Sequence, residues 1–309
     1  MISFAFGKAR AARLDAEGRA AAQNRTLWGD ALRRLRKNRL AVVAFFWIVM
    51  MVLVALTGRM WVPIIFGDVM YPDSTIAATM SRLPPSWQHP FGTDSLGLDV
   101  MGRIAYGAQM SLSIGVIATM ISTTIGLLLG SLSGYFGGLF DAVIMRITDM
   151  FMAVPYTLFT IALLAVLGPG WVNIFMAIGL LGWTSICRVV RSAFLQVKEN
   201  DYVSAARALG ASDFRIILRH ILPNSIASVV VYSTMSIGTA ILSESALSFL
   251  GLGIQPPEPS WGLMISEGQT WLASAPWLVI CPGAAILTTV LAFTLLGDGL
   301  RDALDVKGN

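Results

Sequence analysis

Six apolar stretches, at residues 40–57, 110–132, 147–167, 172–187, 225–249 and 277–296, decide what this chain can fold into. A helix needs roughly 20 apolar residues to cross a hydrocarbon core about 30 Å thick. Lipid-spanning barrel strands alternate polar and apolar residues over about 10 positions instead, and nothing here alternates that way. Apolar residues make up 55% of the 309, and only 13% are charged, too few to clothe a soluble domain of this length. The expectation is an all-α integral membrane protein with about six transmembrane helices.

Basic residues orient it. Arg33, Arg34, Arg36, Lys37 and Arg39 precede the first stretch, the arrangement of a cytoplasmic anchor. Six crossings then place both termini in the cytoplasm, with 19 of the 22 Lys and Arg facing inward; only Arg59, Arg82 and Arg103 fall outside. The inverted arrangement reverses that ratio. About 39 residues precede the first helix and no small-residue cleavage site follows it, so it reads as a retained anchor. Trp28, Leu32 and Leu35 recur at helical spacing beside the basic run, which suggests a short helix in the membrane surface, the alternative being a solvated linker. The resulting division is 1–39 cytoplasmic with an interfacial helix, 40–57 first crossing, 58–108 external, and 109–309 a core of five crossings with a cytoplasmic loop at 188–223.

Several chemistries are disfavoured. Cys187 and Cys281 lie on predicted membrane helices without CxxC or Cys/His spacing, so neither a disulfide framework nor a metal site is indicated. His89 and His220 fall on opposite sides of the membrane, which argues against a Ser-His-Asp arrangement. No GxxxxGK[ST] loop exists, since Gly7-Lys8 is followed by Ala9. No catalytic site is expected, nothing points to nucleic acid, and uphill movement would need a partner or an ion gradient. Asp149, near the start of the third helix, and Glu244, towards the outer end of the fifth, are the candidates for ion coupling; the alternative for each is an interfacial position or a paired neighbour. No second half repeats the first, as inverted-repeat carriers show.

The loop at 188–223 is more informative. Asp201 can cap a helix that stops at Gly210, where a left-handed turn costs nothing, and a second helix would run from about Asp213 to a turn at Pro223. Tyr202, Ala205, Ala206 and Leu209 share a face of the first helix. That narrow face suits a groove on another protein, or else packs on its own bundle. In the fifth stretch, Ser225, Ser228, Tyr232, Ser236, Thr239 and Ser243 form one polar stripe at helical spacing. It fits a wet pathway, or dry helix packing through small polar residues.

These segments resemble a known family. Ala205-Ala206, Gly210 and Leu222-Pro223 keep the spacing of the EAA signature of ATP-binding-cassette (ABC) importer permeases, with Ser204 where the usual Glu stands and His220 in place of Ile. Arg-His-Ile-Leu-Pro-Asn at 219–224 has the form of the peptide/nickel branch, the OppC/DppC type. His89-Pro90-Phe91-Gly92-Thr93-Asp94 through Asp99 is similar to that branch's external motif, with Leu98 replacing Arg. The run from Ser243 to Gly253, Gln255-Pro256-Pro257, Trp261-Gly262 and the ending Leu296-Gly297-Asp298-Gly299-Leu300-Arg301-Asp302 match as well. Glu17-Gly18-Arg19, Leu27-Trp28 with Asp30, and Gly130 to Tyr135 lean towards the oligopeptide subtype.

The resemblance implies a type I importer permease of the bacterial inner membrane that forms half of a pathway for oligopeptides or dipeptides, with nickel or glutathione-like cargo as the alternative. It implies a homologous second permease (OppB/DppB-like), two ABC ATPases that carry ATP and magnesium, and an extracytoplasmic substrate-binding protein. The chain itself would hold no cofactor. Tyr202, Ser204, Ala205, Ala206, Arg207, Leu209, Gly210 and Pro223 would make the ATPase-coupling loop, and Ser228, Tyr232, Ser236, Thr239 and Ser243 would line the path. The rival from another class is an ion-coupled secondary carrier; a membrane scaffold without cargo is a third reading.

Overall fold

The structure, a computed structural model, describes residues 27–71 and 79–304. Residues 1–26 with Glu17-Gly18-Arg19, the last five residues with Asp305 and Lys307, and the Leu27, Trp28 and Asp30 side chains lie outside it. Among the described residues the regular structure is helical, apart from one isolated bridge between Thr93 and Asp99.

Helix α1 (Leu27–Lys37) stops at Asn38, whose side chain accepts a hydrogen bond from Ala41 N (3.2 Å) and so starts α2 (Arg39–Phe66). Asp99 caps α3 (Val100–Phe136) by accepting from Gly102 N at 2.8 Å. Then come α4 (Gly138–Ala153), α5 (Tyr156–Leu167), α6 (Trp171–Lys198), α7 (Asp201–Ala208) and α8 (Asp213–Ile216). A π-helical turn (Ile217–Ile221) joins α8 to α9 (Leu222–Phe249); α10 (Trp261–Gly268) and α11 (Trp277–Leu304) follow.

Among the described residues, five helices are long and apolar enough to cross a membrane: α2, α3, α6, α8–α9 taken as one 37-residue helix, and α11. A sixth crossing arises only if α4 and α5 are one span, and they meet at 83°. The third apolar stretch is therefore a corner and not a rod. Pro155 causes it: proline supplies no N–H, its ring collides with the carbonyl one turn back, and it drives the preceding residue out of helix. Val154 is accordingly extended, at φ −94°, ψ 131°. The other spans outrun their apolar stretches, because caps such as Asn38 and Asp99 end a helix and hydropathy does not.

The loop at 188–223 is also mostly helix. α6 continues to Lys198, and no turn forms at Pro223, which sits in the first turn of α9. The chain absorbs the proline by widening to the π register just before it, with Leu222 N bonding Ile217 O. Asn224 Nδ2 donates to His220 O at 2.7 Å, and Ser225 Oγ to Ile221 O at 3.0 Å.

The most extensive helix pairing is α3 on α6. Gly126, Gly130 and Gly134 fall four apart and let the backbones meet: a Cβ at Gly130 would lie 2.6 Å from Cys187 O, and one at Gly134 2.7 Å from Phe194 Cβ. Between membrane helices such approach replaces the hydrophobic drive that lipid removes. α2 turns its apolar side chains outward, with Phe46, Leu56 and Ile64 well exposed, as a lipid-facing helix does.

Candidate functional site

The α7 region presents a surface. Asn200 occupies the cap position and Asp201 the first turn, one residue from the expected cap. The helix ends in a Schellman turn: Gly210 N bonds Arg207 O, Ala211 N bonds Ala206 O, and Gly210 takes φ +79°. Val203 is buried among Tyr135, Phe194, Ile216 and Ile221, which pins α7 to the bundle. The opposite face is left uncovered, with Tyr202 44% and Leu209 89% exposed, Ser204, Ala205 and Arg207 open, and Ala206 half-buried. Phe214 of α8 is 72% exposed as well and carries no periodic signal of its own.

Tyr135 anchors the surface from beneath. Its hydroxyl donates to Asp213 Oδ1 (2.5 Å), its carbonyl accepts from Lys198 Nζ (2.5 Å), and Arg207 lies 5.9 Å from its ring centre. Nearby, Arg191 makes a two-pronged pair with Asp141 (2.5 and 2.6 Å), which also accepts from Ser133 Oγ.

A cavity of about 360 Å³ lies between α3, the α4–α5 corner, α6 and α9. Tyr232, Ser236, Thr239 and Ser243 of the polar stripe line it. Ser228 is exposed but lies outside it, and Ser225 is buried with its hydroxyl turned onto Ile221 O. Thr119, Ser122, Thr184, Ser185 and Tyr156 add hydroxyls from other helices, and Phe151, Met152 and Phe159 add apolar wall. None of the lining residues is Asp, Glu, Lys, Arg or His. The corner at Val154–Pro155 opens into the same space; backbone that leaves helix geometry at membrane depth is tolerated where it lines a wet cavity or is buried in protein.

The two carboxylates considered for ion coupling do other things. Asp149 pairs with Arg188 at 2.5 Å. Glu244 is fully buried and accepts from Ser248 (2.7 Å), Ser111 (3.1 Å) and Ser245 (3.4 Å), joining α9 to α3. Neither lines the cavity. Among the described residues, no three His, Cys, Asp or Glu side chains gather as metal ligands do.

The segment at 89–99 folds into a knot ahead of α3. Asp94 Oδ1 accepts from Leu96 N and Leu98 N, Asp94 Oδ2 pairs with Arg103, and His89 Nδ1 meets Asp99 Oδ2 at 2.9 Å. Gly92 (φ +75°) passes so close to Leu83 O and the Trp277 ring that no Cβ fits. Leu98 is buried at the position where the external motif has Arg. The three arginines that charge asymmetry would place outside are all engaged: Arg59 with Gln109 and Glu258, Arg82 over the Trp271 ring, Arg103 with Asp94 and Glu267.

Residues 126–307 match the family described as binding-protein-dependent transport system inner membrane component, and residues 26–85 match the N-terminal TM domain of oligopeptide transport permease C. The glutathione transport system permease protein GsiD of Shigella flexneri serotype 5b (strain 8401) is 46% identical over 285 residues, covering 92% of each chain. The protein of that name from Escherichia coli O157:H7 is 45% identical over the same span. Among solved structures, an inward-facing form of the MetNI methionine ABC transporter aligns with a TM-score of 0.56 at 17% identity, over 66% of this chain and 97% of that one.

Proposed function

Because the chain belongs to the family of binding-protein-dependent transport system inner membrane components, and is a multi-pass permease subunit of an ABC importer, we propose that its cavity is one half of a passage for short peptides, glutathione-like tripeptides included. The observation that carries the reading is the cavity wall: hydroxyls from four helices beside aromatic and aliphatic surface, with no ionised side chain. Such a wall bonds peptide N–H and C=O groups whatever side chains they carry. The likeness to glutathione permeases and to oligopeptide transport permease C supports the same cargo class.

The chain does no chemistry in this reading. ATP and magnesium bind separate ATPase subunits, which dock on the α7 surface from the cytoplasm; a homologous second permease supplies the other wall, and a binding protein delivers cargo from outside. Closure of the ATPase pair presses on Tyr202, Leu209 and Phe214, and the membrane helices exchange inward- and outward-facing states. Nucleotide and cargo must favour different states, since a ligand with equal affinity for both shifts nothing. An ion-coupled carrier is disfavoured because Asp149 is paired and Glu244 is enclosed, both away from the cavity.

Reconstitution in proteoliposomes tests this. Alone, the chain should neither hydrolyse ATP nor accumulate peptide. With the second permease, the ATPases and the loaded binding protein, peptide uptake should appear and require ATP on the ATPase side. A cysteine at position 205 should cross-link to the ATPase. Accumulation by the isolated chain on a proton or sodium gradient would make it a carrier and end the proposal.

A further inference from the structure

We infer that Tyr135 is the joint that carries a displacement of the α7–α8 surface to the helices around the cavity, an inference that rests on the permease reading. Tyr135 is in the last turn of α3 and is 4% exposed. It touches every element of that surface and its support. The hydroxyl reaches Asp213, the first residue of α8, at 2.5 Å. The ring lies under Arg207 of α7 at 5.9 Å and under Lys198, the last residue of α6, at 5.5 Å. Lys198 also donates to the Tyr135 carbonyl. An advance of α7 or α8 therefore cannot leave α3 in place without breaking a hydrogen bond or lifting a cation from the ring.

The connection continues towards the cavity. Two residues before Tyr135, Ser133 donates to Asp141 of α4, and Arg191 of α6 clasps the same carboxylate with two bonds. Gly134 packs its backbone against Phe194 and Arg191 with no room for a Cβ, a contact that resists displacement of α3 relative to α6 there. α4 ends at the Val154–Pro155 corner, which is part of the cavity wall. Packing alone does not explain the tyrosine. A phenylalanine would fill the same core, and Asp213 is exposed, so water could satisfy it without the phenol. Rigid elements joined by charge-assisted bonds are the physical means by which one site biases another.

The test uses the assembled complex in proteoliposomes with loaded binding protein. Tyr135→Phe and Asp213→Ala should each lower peptide imported per ATP hydrolysed by about three- to tenfold. The double variant should be no worse than either single one, since both delete one bond. Asp213→Asn keeps the acceptor oxygen and should hold the wild-type ratio. Co-purification of the ATPases separates docking from coupling: a lowered ratio with docking retained supports the joint. A wild-type ratio in Tyr135→Phe overturns it, and so does loss of docked ATPase, because Tyr135 would then only shape the surface. A cargo-free readout comes from nitroxides on cysteines replacing the exposed Leu158 of α5 and Leu242 of α9, with Cys187 and Cys281 replaced. Their separation should change when nucleotide is trapped on the ATPases of the wild-type complex, and stay fixed in Tyr135→Phe. A distance change without peptide uptake would sink the cargo assignment and leave the joint standing; an equal change in both proteins would sink the joint.

Discussion

Arg103 Nη1 lies 2.5 Å from Asp94 Oδ2, and both side chains are more than nine-tenths buried. Glu267 approaches the same guanidinium nitrogen at 2.9 Å. One cation thus ties three pieces of chain together: the knot at 89–99, the first turn of α3, and the end of α10. Two carboxylates this close to each other are tolerable only with the guanidinium between them.

Arg103→Met should therefore cost about 3–5 kcal/mol, the range for removing one partner of a buried ion pair. Thermal unfolding in detergent, followed by tryptophan fluorescence, should show a lowered transition. Adding Asp94→Asn to Arg103→Met should recover part of the loss, because it removes one stranded charge and keeps the oxygen that accepts from Leu96 N and Leu98 N. Unchanged unfolding of the single variant would show that the pair does not hold the knot.

Gly130→Leu should disrupt the α3–α6 contact, since even a Cβ there meets the Cys187 carbonyl at 2.6 Å and Val190 Cβ at 2.7 Å. Overpacking of this kind costs about 1–3 kcal/mol, more where backbone must move. Gly283→Ala is the control: nothing lies within 4 Å of its Cβ position and alanine is the better helix former, so its stability should match wild type or exceed it by up to about 1 kcal/mol. Heat-challenged size-exclusion profiles of the two variants give the comparison.

Gly210→Val should leave membrane insertion intact and abolish cargo-stimulated ATP hydrolysis in the complex. The site has open space around it, so the strain is purely conformational: φ is +79°, and a left-handed residue with a side chain costs about 1–2 kcal/mol. Asn tolerates this region better, so Gly210→Asn should retain more coupled hydrolysis than Gly210→Val. Equal hydrolysis by all three proteins would remove the turn from the coupling surface.

Topology can be read with single cysteines in a cysteine-free background. Position 87, whose tryptophan is fully exposed, and position 90 should react with an impermeant thiol reagent added to intact cells; position 205 should not. Position 260, equally external on the six-crossing arrangement, is a poor probe because Ser260 is fully buried. Labelling at 205 from outside would invert the assignment.

Much of this protein was legible in order along the chain. Apolar windows locate the crossings because hydrocarbon demands a set length of apolar residues, and that length is local. The α7 helix and its end at Gly210 were legible for the same reason: the Schellman turn closes within six residues, Ala206 to Ala211. Basic asymmetry is likewise a property of the sequence. Windowed hydropathy, however, carries no direction, so the run through Pro155 counted as one span although the helix turns by 83° inside it.

What the tertiary structure alone decided are relationships between distant residues. Ser111 and Glu244 are 133 positions apart, and Tyr135 and Asp213 are 78 apart. Helical spacing put Ser225, Ser228, Tyr232, Ser236, Thr239 and Ser243 on one stripe, but only the packing of α3, α6 and the α4–α5 corner against α9 determined that the last four meet a cavity. Periodicity specifies which residues share a face; what that face meets depends on where other helices come to rest. Those resting places are set by close contacts, such as Gly130 on Cys187, that no single segment contains.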